Sequence, residues 1–381
     1  MSVHQPLKGL LVLEFCQYLS GPSAGLRLAD LGARVIKIER PGTGDAGRKL
    51  AIKNLWADDN SLLFHTINRN KESVTANLKK EEDRSIIIKL IAKADVLMHN
   101  FRPEVMERNG LGYADVKQIN PRLVYAAISG YGTQGPWKHK PGQDLLVQAM
   151  AGLAYTTGNA GQAPVPFGIS VADIMAGSHL VQGILAALIR RHKSGEGMLV
   201  EVSMLESMLD FQFELLTTYF ASGQQPVRSA IANGQPLLSA PYGIYQTADG
   251  YIALAMMNVQ LLAAAIECPD LNAFEPNTIF MQRDEIKIIL GNHLLKNNTQ
   301  YWLQKLQQQG LWAMPVLTWH ALTEQQAYQQ LQMEQVIDTR GNIMVTTRCP
   351  IRINQQIITN PKPAPHLGEH KEAIEQELEM V

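Results

Sequence analysis

The chain has 381 residues, 46% of them apolar and 18% charged, and a formal net charge of -1. Its length predicts two domains, or one large domain carrying a smaller insertion, because a single hydrophobic core rarely grows to serve so long a chain. The composition excludes a disordered chain, and the near-zero charge excludes a surface built throughout for nucleic acid or an anionic membrane.

In chain order, the opening MSVHQPLKGLLVLEF lacks the basic start, long apolar stretch and small-residue cleavage site of a secretory signal. Residues 10–15 read as a strand, 22–31 as a helix with Pro22 in its first turn, and 33–39 as a second strand. Strands follow at 73–78, 95–99 and 123–128, with an amphipathic helix over 81–94. This alternation predicts a parallel sheet wrapped by helices. Helical patterns at 170–191 and 202–222 come next. The longest apolar run, 180–189, ends in Arg190-Arg191-His192-Lys193 and reads as a buried helix with a basic C-terminal end, not a membrane span. Residues 223–241, rich in Gln, Pro, Gly, Ser and Asn, read as a linker. PYGIYQTADGYIALA then predicts a hairpin around Asp249-Gly250, and 300–309 a helix stopped by Gly310. No internal repeat is found.

Few of the familiar catalytic patterns are present. Cys16, Cys268 and Cys349 are scattered, with no CxxC pair, and the ten histidines form no ligand spacing, so no metal is expected; His99, His139 and His179 read as structural. The cysteine usage suits a reducing, cytoplasmic location. No GxSxG serine exists. The turn SGPSA, residues 20–24, suits either an ordinary strand-to-helix turn or a helix N-terminus offering backbone N–H groups to an anion. Arg40, Lys79, Arg102 and Arg108 fall just beyond predicted strand ends, where open α/β sheets take their ligands, and together suggest a basic rim. In KPGQDLLVQAMAGLAYTTG, Asp144 stands between a turn and an apolar helix-compatible run. Its carboxylate suits a helix cap, a nucleophile, or both.

At these residues the sequence resembles the class III CoA-transferase family (CaiB/BaiF), the group of formyl-CoA transferase, carnitine CoA-transferase and 2-methylacyl-CoA racemase. The resemblance rests on GLLVLEF with SGP, DLGARVIKIERPGTGD, NRNKESVTANLK, ADVLMHNFRPEVMERNGLGY, NPRLVYAAISGYGTQGP, PGQDLLVQAMAGL, GILAALIRRHKSGEGMLVEVSMLES, APYGIYQTADGYIALA and PAPHLGEH, in the family's order along nearly the whole chain. It implies an α/β fold: a Rossmann-like large domain with a parallel sheet, a smaller α+β domain, and an interlocked homodimer. The boundaries expected are 1–205 with 325–381 for the large domain, 206–240 for the linker and 241–324 for the small domain.

The resemblance also implies the chemistry. Asp144 matches the nucleophile that carries coenzyme A between an acyl-CoA donor and a free carboxylic acid acceptor, with the CoA thioester as substrate and no tightly bound cofactor, metal, nucleic acid or membrane partner. Tyr18, Leu19 and Ser20 match the loop beside the thioester, Leu19 replacing a glutamine of formyl-CoA transferase. Arg40 and Lys79 match positions near the CoA adenine and phosphates, Ala76 the apolar position against the adenine, and Asn100, Phe101 and Arg108 positions lining the CoA. The racemases place a His before the catalytic Asp, where this chain has Gln143; Asp173 lies near their second acidic position, which transferases share. A racemase and an inactive CoA-binding scaffold are the alternatives. No Gly-rich shielding run follows the linker.

Overall fold

The structure, a computed structural model, describes residues 5–380; the first four residues of the opening stretch read above lie outside the described residues. The chain falls into two compact units. One comprises the chain up to Val147, Ser170–Phe211 and the chain from Leu331 onward; the other comprises Gln148–Ile169 and Gln212–Gln330. Residues 148–169, which the sequence reading leaves in the large domain, group with the second unit, as do residues 212–240 of the expected linker.

The first unit is built on six parallel strands: β1 (Leu11–Phe15), β2 (Arg34–Glu39), β3 (Glu72–Thr75), β4 (Val96–His99), β5 (Val124–Ser129) and β6 (Leu199–Ser203). Their order is β3-β2-β1-β4-β5-β6. The chain steps outward from β1 to β3, then returns to β1's other side for β4, so the order reverses between β1 and β4. In such sheets the crevice outside the carboxyl ends of those two strands is the natural ligand position. Val12, Leu13, Val35, Ile36, Leu97 and Met98 are buried in these strands, as expected of a parallel sheet covered on both faces.

Helix α1 (Ser20–Asp30) connects β1 to β2, α2 (Leu62–Asn68) precedes β3, α3 (Glu81–Lys93) connects β3 to β4, and α4 (Val105–Arg108) and α5 (Tyr113–Ile119) lie between β4 and β5. Three expectations need correction. The strand expected at 73–78 ends at Thr75, because the Asn77 N–H donates to Asp83 and its carbonyl accepts from the Lys80 N–H, turning the chain into α3. The single helix expected over 202–222 is the end of β6 followed by α8 (Met204–Phe211) and α9 (Phe213–Ser222). The break is chemical: Ser203 Oγ accepts the Glu206 N–H at 3.1 Å and donates to the Glu206 carboxylate at 2.6 Å, starting a new helix at Met204. The helix expected over 22–31 begins two residues earlier, leaving Pro22 in its first turn.

The 24-residue helix α7 (Val171–Ser194) is long and apolar enough, by length and composition, to cross a membrane. Here Ala172, Ala176, Leu180, Ile184 and Ala187 form a buried stripe, and the helix packs on α1, α8, β5 and β6. Its last turn carries Arg191, His192 and Lys193, and Gly195, at φ +78°, stops it. At the crossing with α1, a Cβ on Gly177 would stand 2.5 Å from Ser23 Oγ and 2.7 Å from the Ser20 carbonyl oxygen. Only glycine lets the two helix N-termini come this close.

In the second unit, the expected hairpin is present as β7 (Gly243–Gln246) and β8 (Tyr251–Leu254), with β9 (Ala313–Pro315) antiparallel to β8. Helices α10 (Val259–Ile266), α11 (Arg283–Leu294) and α12 (Thr299–Gln308) surround a core of Leu262, Ile286, Leu290, Trp302 and Leu306. The Gln-rich helix is therefore amphipathic, and the Trp302 indole donates to the Leu294 carbonyl at 2.7 Å. The residues before the hairpin are pinned: Arg228 donates to the carbonyls of Thr157 (2.7 Å) and Gln162 (2.6 Å), and the Lys287 ammonium to Ser229 Oγ (2.9 Å).

The Gly177 contact yields a prediction of sign. Helix propensity alone makes Gly177→Ala stabilising by about 1 kcal/mol, whereas forcing apart a packed contact costs about 1 to 3 kcal/mol. The expected outcome is net destabilisation, seen as a lower denaturant midpoint; a raised midpoint would show that α1 and α7 do not meet so closely.

Candidate active site

The exits of β1 and β4 are tied together by one side chain. Phe15 and His99 are register partners, which sets Asn100 level with the residues that follow β1. Asn100 Oδ1 accepts the Gln17 N–H at 2.8 Å, while Nδ2 donates to the Gln17 carbonyl at 2.7 Å and to Ser20 Oγ at 3.1 Å. Between them Tyr18 takes φ +63°, and its N–H donates to Asp45 Oδ1 at 3.0 Å. Leu19 follows as the N-cap of α1, with no side-chain cap, and its carbonyl accepts the Ser23 N–H at 2.8 Å.

Beneath this loop lie buried charges that the sequence reading does not single out. Glu14 and Lys37 are cross-strand partners in β1 and β2 and pair at 2.9 Å; Lys37 also pairs with Asp45 at 2.8 Å, and Lys71 with Glu14 at 2.7 Å. All four residues are closed off from water. Lys37 further donates to the Cys16 carbonyl at 2.8 Å. Burial works against the Lys37 charge, but the carboxylates of Glu14, Asp45 and Glu39 outweigh it and hold the ammonium well above its usual range. Burial works against the Asp45 carboxylate too, and is outweighed by Lys37 and by hydrogen bonds from Lys37, Gly47 and Tyr18, so its carboxyl is held low. A signal was available: one acid in the apolar run LVLEF and one lysine in VIKIE.

Asp144 opens α6 (Asp144–Met150), and Gln143 carries the carbonyl that accepts the Val147 N–H. The approach is fixed by a glycine contact: a Cβ on Gly142 would lie 2.6 Å from the Gly130 Cα. The half-buried Asp144 carboxylate meets the N-terminus of α7, where Oδ1 accepts the N–H groups of Ala172 at 2.7 Å and Asp173 at 3.2 Å. A helix N-terminus is a favourable setting for negative charge.

Asp173, in the first turn of α7, lies beside Ser20, whose hydroxyl and N–H favour its ionised form. Burial first, and the neighbouring Asp144 charge second, outweigh Ser20 and push the carboxyl up to about 6. Two carboxyl groups thus share one site in different environments, with Ser20 and Asn100 joining them to the loop after β1.

The other residues named from sequence lie along the same edge of the sheet. Arg40 follows β2 directly; Lys79 lies four residues past β3; Arg102 and Arg108 follow β4; all four are exposed. Ala76 is 6% exposed and packs in the core with Ile38 and Val74. Phe101 stacks on His99, centroids 6.2 Å apart. His99 itself is buried and packs edge-on against Tyr125, and burial lowers its pKa to about 4. His179 contacts Ser207 Oγ at 3.0 Å. Among the described residues no cluster of His, Cys, Asp and Glu is placed to hold a metal ion.

Residues 7–371 match the family model described as CoA-transferase family III. The acetyl-CoA:oxalate CoA-transferase of Acetobacter aceti is 35% identical over 98% of this chain and 96% of its own length. The succinate–glutarate CoA-transferase of Agrobacterium fabrum is 32% identical over 99% of this chain and 96% of its own. A crystal structure of a CaiB/BaiF family protein from Brucella suis superimposes with a TM-score of 0.84 at 32% identity, covering 98% of this chain and 99% of that one.

The raised Asp173 carboxyl makes stability depend on pH. Unfolded, it ionises near 3.8; folded, near 6. Its favourable contribution is therefore complete below the unfolded value and is lost as pH rises from about 4 through about 6, a swing of about 2 to 3 kcal/mol. Asp173→Asn should remove that swing, so denaturant titrations of the two proteins should converge in stability at low pH and diverge, with the variant more stable, above pH 6. Parallel stability profiles would contradict the assignment.

Proposed function

Because the chain belongs to CoA-transferase family III, we propose that it moves coenzyme A from an acyl-CoA to a free carboxylic acid, with Asp144 as the covalent carrier. The observation that carries the reading is the Asp144 carboxylate set on the first amides of α7, next to the loop after β1 at the point where the strand order reverses.

The chemistry follows from what a carboxylate can do. Direct exchange asks a weak nucleophile to expel a thiolate that must then be recaptured; a resident carboxylate divides this into easier steps. Asp144 attacks the donor thioester carbonyl and the C–S bond breaks, giving a mixed anhydride and CoA thiolate. The thiolate attacks the Asp144 carbonyl, and the donor acid leaves with one oxygen that came from Asp144. The acceptor carboxylate then attacks the aspartyl-CoA thioester, and the thiolate returns to the acceptor carbonyl, regenerating Asp144. Every step develops an oxyanion, and each well-placed N–H donor is worth about 3 kcal/mol. Tyr18, Leu19 and Ser20 are assigned to the thioester end. Arg40, Lys79 and Arg108 are assigned to the CoA phosphates, and Ala76, Asn100 and Phe101 to the nucleotide and pantetheine portion.

Gln143 argues against a racemase, since it offers no base beside Asp144 to move a proton at the carbon next to the thioester. The relatives described above are named for transfer, between acetyl-CoA and oxalate or between succinate and glutarate. A homodimer is part of the proposal. Exposed Phe213 and Phe220 on α9, and Val336, Ile343 and Val345 on the hairpin of Glu334–Thr339 and Asn342–Thr347, are apolar surface of the kind that oligomers cover. The three buried, unpaired cysteines suit a cytoplasmic location.

The test is exchange of CoA between acyl-CoA donors, acetyl-CoA and succinyl-CoA first, and a panel of acids including oxalate and glutarate. Asp144→Asn, which keeps an acceptor for the α7 amides but no nucleophile, should lower the rate by about three orders of magnitude or more. Parental rates in that variant would exclude the covalent scheme.

A further inference from the structure

Asp45 takes no part in the chemistry above, yet its carboxylate holds a backbone N–H of the loop that does. The residue is 1% exposed. Oδ1 accepts the N–H groups of Tyr18 at 3.0 Å and Gly47 at 2.8 Å, and Oδ2 lies 2.8 Å from Lys37 Nζ. The Asp45 N–H in turn donates to Glu39 at 3.0 Å, which anchors the turn after β2 to the strand it leaves. Above it, Tyr18 holds φ +63° while the residue is 54% exposed. Residues bearing a side chain avoid that conformation unless their surroundings impose it. The ring is largely in solvent and does not wedge the backbone, so the constraint comes from below. The residues on either side are fixed by other groups: Cys16 by Lys37, and Gln17 and Ser20 by Asn100. Asp45 is the buried partner of the residue whose backbone is least favourable.

We propose that Asp45 is a positioning residue for the transfer reaction: by accepting the Tyr18 N–H it imposes the left-handed turn that sets Ser20, and through Ser20 the carboxyl of Asp173 beside Asp144. Lys37 keeps the Asp45 carboxylate in place, so the charges buried between β1 and β2 act on the reacting loop at two backbone groups, the Cys16 carbonyl through Lys37 and the Tyr18 N–H through Asp45. This rests on the transferase reading of Asp144.

Two substitutions at an exposed position isolate the claim. Tyr18→Gly and Tyr18→Pro remove the same ring, but glycine accepts a positive φ and keeps the N–H, whereas proline is held near -65° and has no N–H to give Asp45. In acyl-CoA-dependent CoA exchange, the proline variant should fall a further 10- to 100-fold in kcat/KM below the glycine variant, the scale of a small misplacement at a reacting centre. The KM for the acyl-CoA should rise as kcat falls, which a mere loss of folded protein would not produce. A second pair works from the other side: Asp45→Asn retains an oxygen acceptor for Tyr18 and should keep most of the activity, while Asp45→Ala should behave as Tyr18→Pro does. Equal activity of the two Tyr18 variants, or equal damage from the two Asp45 variants, would overturn the proposal, and the Asp45 pair decides if Tyr18→Pro does not fold. Absence of exchange in the parent protein would instead remove the transferase reading on which the proposal stands.

Discussion

The contact of Lys37 with Glu14 and Asp45, shut away from water, is the constraint from which the rest of the first unit follows. Charges in a core are tolerated only when paired, and removing one partner leaves a charge that nothing compensates. Here the pairing runs across the sheet and into the loops: Glu14 in β1 faces Lys37 in β2, Lys71 approaches from before β3, and Asp45 closes the set from the turn after β2. Burial lowers the Lys71 ammonium to about 8 despite Glu14, whereas Lys37, between several carboxylates, stays strongly charged. Such a network accepts one arrangement, and the arrangement includes the backbone of residues 16–18.

From there the geometry passes to two helix N-termini. The loop after β1 leads into α1, whose first residue, Ser20, engages Asp173 of α7, and the opening amides of α7 hold Asp144. The bare glycine at 177 allows α1 and α7 to approach. Two carboxyl groups meet at the N-terminus of α7. One has its protonation raised by burial and by its neighbour; the other accepts two backbone N–H groups. A site of this kind suits acyl transfer through a resident carboxylate, and the family to which the chain belongs is built for CoA transfer.

Much of this is legible in the sequence, and the part that is not has definite causes. Alternating apolar and helical segments in the first 130 residues announce the parallel sheet, and the hairpin at Asp249-Gly250 is read directly. The strand β6 is hidden because LVEVS runs without a turn into the apolar helix α8; the Ser203 and Glu206 spacing is the clue to the boundary. The grouping of residues 148–169 with the second unit leaves no local signature, since it depends on contacts distant in sequence, such as Arg228 on the carbonyls of Thr157 and Gln162. For the site, position relative to strand ends points to Arg40, Lys79 and Arg108, and the turn before an apolar run points to Asp144. That Asn100 spends both amide protons on Gln17 and Ser20, and that Asp144 lies on the N-terminus of α7 and not simply at the start of its own helix, depend on the folded chain. Periodicity and composition do not carry such contacts across 28 or 83 residues.

The central claim is that one oxygen of Asp144 is exchanged with each acid that passes through the site, because the departing acid takes an Asp144 oxygen and the incoming acid leaves one behind. The most direct measurement is therefore a single round of transfer with an acceptor acid labelled with heavy oxygen in its carboxylate, followed by peptide mass spectrometry. The account predicts heavy oxygen in the peptide that contains Asp144 and in no other acidic residue. Product acyl-CoA formed at full yield with Asp144 unlabelled would contradict it.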